Sequence, residues 1–328
     1  MSKMLGRAEE KRSQRKRKAD PRSLVHLPPK IREPSNMLYS MICSYKGYCD
    51  RRRAKEQSLI DMRSINTGAD PIQLPHIPYP LYPTTSKHES NAERIAQIEV
   101  IKFLEQSFPA FSDFSGEDKI AVFRHSVEQI KMVECFILTS NYWPNSSDRF
   151  LASGITTFYD KENCDFYLCE EEDTLKKKGI KKKMQYYFQR IQQTIHPMLQ
   201  TVNLRVYEYA ALIALLVWSF ETAPHISTKV QLEGERIQTR ALQELERYYR
   251  ERRKNPDYPM RIALLISIAN TLQDVGKQIE QEFEIYSICQ EFAASQLPMP
   301  RIPSAPFLMI VQSDKVVALA TMEARSKV

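Results

Sequence analysis

Two apolar stripes joined by an aromatic hinge, between Ile98 and Ser140, leave this chain few ways to fold. Ile120, Phe123, Val127, Ile130, Val133 and Ile137 recur at three- and four-residue steps and so share one face of a helix. Upstream, a helix is predicted from near Ser90 to about Ser107, with Ile95, Ile98, Ile101 and Leu104 turned inward. Pro109 ends it. Ser115 is placed to cap its successor, whose first turn carries Glu117 and Asp118 near the positive end of the helix dipole. A long helix turning sharply into another must bury both stripes against further helices.

Those further helices are legible. Residues 36–65 carry Leu38, Ile42, Tyr45 and Tyr48 ahead of the basic run Arg51-Arg52-Arg53. Leu204 to Phe220 is apolar almost throughout and reads as a core helix. Leu232 to Arg253 is amphipathic, with Ile237, Leu242, Leu245 and Tyr249 inward, and Arg261 to Glu291 is the longest helical pattern. Five prolines between Asp70 and Pro83 impose an extended loop, whereas Pro144, Gly154, Ile155, Thr156 and Thr157 favour a small hairpin within residues 139–160. The expected fold is all-α, stacked in three layers with one short β-hairpin. Residues 1–35 read as a basic solvated tail, 36–295 as one domain with a Pro-rich loop at 70–85, and 296–328 as a Pro-rich tail.

Charge is concentrated at one end. The first 33 residues hold eleven of the 47 Lys/Arg and four of the 40 Asp/Glu, so the net +7 sits there and the remainder is balanced at 36 of each. Lys11, Arg12, Arg15, Lys16, Arg17 and Lys18 form the compact basic cluster a nuclear import signal requires, and a nuclear protein is expected. The run from Lys176 to Lys183 reads as a solvated face beside the acidic residues 170–173. No apolar run approaches a membrane span, and none near Met1 resembles a secretory signal.

Catalysis is not written into this sequence. The six cysteines form no CxxC pair, the six histidines no HExxH, and there is no GxSxG elbow. Eight glycines include no phosphate-cradling loop. No catalytic residue, metal site or cofactor is expected. His125, off the main apolar stripe, reads as a partly exposed structural histidine.

Phe111, Phe114, Asp118, Lys119, Ile120, Val122, Phe123 and Arg124 together resemble the signature of nuclear hormone receptor ligand-binding domains, with Lys119 where Gln is usual. Residues 139–160 are similar to the sheet segment of divergent nematode members. Leu204 to Phe220 resembles the family's buried eighth helix, with Glu208 at its acidic position, and Tyr258 to Leu265 the start of its long tenth helix, with Arg261 at its basic position. The resemblance covers roughly residues 36–295. It implies an antiparallel helical sandwich and an ion pair between Glu208 and Arg261. Cys43 and Cys49 have a gap found in the family's zinc modules, but Leu59 and Met62 stand where the next ligands belong, so a zinc-finger DNA reader and direct DNA binding are not expected.

By the same resemblance, a small apolar ligand would be lined by Gln97, Ile101, Met132, Cys135, Leu138, Ile279 and Phe283. Covering ~300 Å² of it is worth on the order of 7 kcal/mol before entropy costs, enough to bias a mobile helix. A coregulator LxxLL helix would meet Arg124 and, where the family has lysine, Gln106. The activation helix has no good counterpart: prolines follow Gln296, and Val316 to Ala324 matches weakly. Homo- or heterodimers with nuclear receptors are implied. The alternative is a ligand-independent dimerisation or sequestering module whose cavity is filled by side chains, and a lipid-acting helical enzyme stands behind both.

Overall fold

The computed structural model describes residues 36–61, 70–143, 149–169, 174–195, 197–198, 202, 204–220, 226–253 and 256–295. The basic cluster at 11–18, the acidic run at 170–173, His196 and the segment 316–324 lie outside the described residues. The chain divides into two compact units, Met1–Gly276 and Lys277–Val328.

The first unit is built from α1 (Met37–Asp61), α2 (Ser86–Ser107), α3 (Gly116–Tyr142), the short α4 (Cys164–Tyr167), α5 (Thr174–Arg190), α6 (Val206–Val217), α7 (Thr228–Arg247) and the first half of α8 (Tyr258–Ser295). Strands β1 (Tyr82–Pro83), β2 (Phe150–Ala152) and β3 (Thr157–Asp160) form one sheet in the order β1-β3-β2. Every residue of α6 from Tyr207 to Val217 is buried, because α1, α3 and α7 pack around it. Helix α2 packs on α1 and α3, and the small sheet packs on α3, giving the layered all-α architecture.

Local chemistry sets the element ends. The Ser115 Oγ accepts from the Asp118 amide at 3.1 Å and donates back to its carboxylate at 2.9 Å. Asp118 also accepts from the amide and hydroxyl of Ser227, at 3.2 and 3.0 Å, and Ser227 is itself the cap of α7. One carboxylate thus closes the first turns of two helices. Burial opposes its charge, but hydrogen bonds from Ser227 and Ser115 hold Asp118 below the usual carboxylate range. At Gly234, an added Cβ would lie 2.9 Å from the Trp218 carbonyl oxygen, so glycine sets how closely α7 approaches the end of α6.

Several expectations are corrected. The hairpin exists as β2 and β3, but the Pro-rich segment adds a third strand. Amides of Tyr82 and Thr84 donate to Thr156 and Phe158, each at 2.9 Å, while Pro83 between them has its missing N–H on the free side of an edge strand. α2 begins at Ser86, capped by Thr85, one turn before the predicted start. Its buried face runs through Ala92, Glu99, Val100 and Phe103, and Ile98 is 48% exposed. The helix is turned toward α1 by polar contacts: Glu99, fully buried, accepts from Arg51 at 2.5 Å and Lys55 at 2.7 Å. His125 is buried rather than partly exposed, its Nε2 3.2 Å from the Leu216 carbonyl, because α3 is covered on more than one side. Cys43 and Cys49 lie along α1.

Candidate ligand-binding and coregulator sites

The residues expected to line a ligand occupy facing positions on α2 and α3. Gln97 and Ile101, one turn apart on α2, are half-buried; on α3, Met132 is half-buried and Cys135 buried. Leu138 packs instead with the sheet cluster of Leu81, Tyr142, Trp143, Ala152 and Phe158. A Cβ at Gly276 would start 2.9 Å from the Met132 sulfur, so α8 passes close to Met132 at this candidate wall. Ile279 and Phe283 belong to the second unit, where Ile279 is buried; the Phe283 side chain is outside the described residues.

At the end of the same faces lies a polar cluster that sequence reasoning missed. Glu89, buried in the first turn of α2, accepts from the hydroxyls of Tyr159 on β3 and Tyr167 on α4, the latter at 2.6 Å. The Lys131 ammonium on α3 stands 3.5 Å from Glu89 and in direct contact with Glu93. Burial pushes both phenols upward, and the charge of Glu89 pushes them further, so they remain donors. For Lys131 burial works against charge, but Glu89 and Glu93 outweigh it and hold the amine well above its ordinary value. Glu89, Glu93 and Gln97 repeat at four-residue steps, the one signal that could have revealed this face.

A second buried network braces α1 against α3, α6 and the sheet. Arg52, only 5% exposed, donates to Glu56, Glu134 and, at 2.7 Å, the Tyr48 hydroxyl. Thr156 donates to Glu56 at 2.9 Å, and the chain Tyr209 to Tyr45 to Glu134 closes it, at 2.6 and 2.9 Å. Arg52, in the middle of the basic run, is therefore a buried brace.

Glu208 meets Arg261 across α6 and α8. Arg261 Nε donates to Oε1 at 2.7 Å and Nη2 to Oε2 at 2.8 Å, while the Tyr249 hydroxyl and the Arg205 amide, at 2.7 Å, complete the carboxylate. A π-helical segment after α7, Tyr248–Arg253, contains Tyr249.

Arg124 and Gln106 are both exposed, on α3 and at the end of α2. Near them the apolar cover is incomplete: Ile120, Phe123 and Val127 are half-buried and Ile98 exposed, on two helices packed against each other. Ile120, Phe123 and Val127, expected as core, are thus a partly open surface. On α8, Met260 is 74% exposed, with Leu264 and Ile266 also uncovered. Among the described residues no group of three or more His, Cys, Asp or Glu side chains could hold a metal, and no helix is long and apolar enough to cross a membrane.

A family model for the ligand-binding domain of nuclear hormone receptor matches residues 94–288. The chain is also similar to Nuclear hormone receptor family member nhr-53 of Caenorhabditis elegans, with 21% identity over 199 residues, covering 59% of this chain and 53% of that protein. It spans about half the length of this curated relative. The matched region runs from α2 through most of α8, and so includes the capped hinge, the buried α6 and the Glu208–Arg261 pair. This chain belongs to the family of nuclear hormone receptor ligand-binding domains.

Proposed function

We propose that this chain regulates transcription in the nucleus by binding a small apolar ligand between α2 and α3 and a coregulator helix on the surface those two helices share. The observation that supports the reading is the partly open apolar strip of Ile98, Phe123 and Val127, flanked by Arg124 and Gln106, on the outer side of the helices whose inner positions carry Gln97, Ile101, Met132 and Cys135. An LxxLL helix presents leucines to such a strip, and a basic side chain at one end suits the negative C-terminal end of its dipole. Burying ligand surface against Ile101 and Met132 stabilises the α2–α3 packing that shapes the strip, so the two sites are coupled. The exposed Met260 and Leu264, one turn apart on α8, supply a face for a homo- or heterodimer.

One titration tests the reading. A fluorescent LxxLL peptide is added to the full chain with and without long-chain amphiphiles, for the wild type and for Arg124→Ala. Binding is expected to tighten by about fivefold with a bound amphiphile, a coupling of about 1 kcal/mol, and to be lost in the variant. Peptide binding that no amphiphile changes would favour the ligand-independent sequestering module. No binding under any condition would remove the coregulator reading.

A further inference from the structure

We infer that the ligand of this site carries a positively charged, hydrogen-bond-donating end, an amine, seated against Glu93 at the Glu89–Lys131–Tyr159–Tyr167 cluster, with its apolar body running toward Ile101 and Met132. This inference rests on the proposed ligand site between α2 and α3. Its basis is a count of charges and donors. The cluster holds two carboxylates and one ammonium, a formal charge of −1.

Glu89 is satisfied: two phenol hydroxyls and Lys131 converge on it, and it is buried. Glu93 is not in the same position. Among the described residues its carboxylate takes Lys131 alone, and 28% of its side chain is exposed. The surplus negative charge therefore sits on the carboxylate that a ligand can reach. An ammonium arriving there balances the cluster and donates to the open oxygen of Glu93. A carboxylate arriving instead must displace Glu93 from Lys131 and leaves the cluster two negative charges in excess. An alcohol donates without correcting the charge.

The geometry ties this end to the rest of the site. Glu93 and Gln97 are one turn apart on α2, and Lys131 and Cys135 one turn apart on α3, so the polar cluster continues the same two facing rows. Tyr159 and Tyr167 pack edge to face at 5.2 Å behind Glu89, and Phe188 of α5 closes on Tyr159 at 6.4 Å. Glu89 is thus fixed by α3, α4 and β3, leaving Glu93 as the side chain free to turn toward a new partner.

Isothermal titration calorimetry of the full chain with dodecylamine, 1-dodecanol and dodecanoate, each below its micelle concentration, tests the inference. The amine is expected to bind on the order of tenfold more tightly than the alcohol, and the carboxylate most weakly. In Glu93→Gln the amine-to-alcohol ratio should fall to about one. If that variant does not fold, the wild-type ratio is compared at low and high salt, where an ionic contact weakens. Dodecanoate binding best, a ratio unmoved by Glu93→Gln, or a salt-independent ratio overturns the amine assignment. Equal binding of all three sinks the assignment but leaves the ligand site standing; binding of none removes the site as well.

Discussion

Removing either partner of the Glu208–Arg261 pair is expected to cost unequal amounts, and the inequality follows from burial. The Glu208 side chain is 1% exposed and the Arg261 side chain 22%. In Arg261→Met the carboxylate loses both of its guanidinium bonds and keeps only the Tyr249 hydroxyl and the Arg205 amide, so a buried charge is left half-compensated. Burial alone would raise Glu208; Arg261, then Tyr249 and Arg205, hold it below its ordinary value, and losing the first removes the largest of these supports. A cost of about 4 kcal/mol is expected. In Glu208→Gln the guanidinium, 22% exposed, keeps access to water, and the amide oxygen still accepts one bond, so about 2 kcal/mol is expected. Urea denaturation of the two variants and of the double variant measures both costs and the coupling. Costs that are equal, or that add without coupling in the double variant, would refute this account of the pair.

Gly234→Ala should destabilise by roughly 1–3 kcal/mol in thermal unfolding, against the usual gain from alanine in a helix, because its Cβ meets the Trp218 carbonyl oxygen at 2.9 Å and backbone yields poorly. A variant as stable as the wild type would show that α6 and α7 can part at no cost. Acid should expose the contribution of Glu99: burial alone would raise its carboxyl, but bonds from Lys55, Arg51 and Lys102 lower it to about 2. Its folded value is depressed, so its stabilisation is full above the ordinary carboxyl range and is lost as pH falls through that range toward 2. After screening at the exposed amines the loss is about 2 kcal/mol. Denaturation of the wild type and Glu99→Gln at pH 6 and pH 3 reads it, and parallel losses in the two would rule Glu99 out.

What could be read from the sequence was what repeats locally. Ser115 followed by Asp118 marks a capped start whether or not its tertiary partner is known, and the apolar run of α6 admits no solvent-facing side. The Glu208–Arg261 contact came from resemblance, since no local rule pairs residues 53 apart. The third strand stayed hidden because pairing of Tyr82 with Thr157 is set by a distant segment, and five prolines mask any alternation. Charged residues misled most. Arg52, Glu89, Glu99 and Glu134 look like solvent-facing helix positions, and each is buried against partners on other elements. For the same reason the face of α2 was rotated: hydrophobicity pointed to Ile98, whereas ion pairs to α1 fixed the orientation.

The carboxylate of Asp118 makes a single clasp out of two helix beginnings, reaching a serine 109 positions further along the chain. Fraying at the start of α7 strips a partner from the start of α3, and the converse holds. The hinge that most plainly identifies this fold is therefore no local motif, since it closes only once the far side of the molecule has arrived.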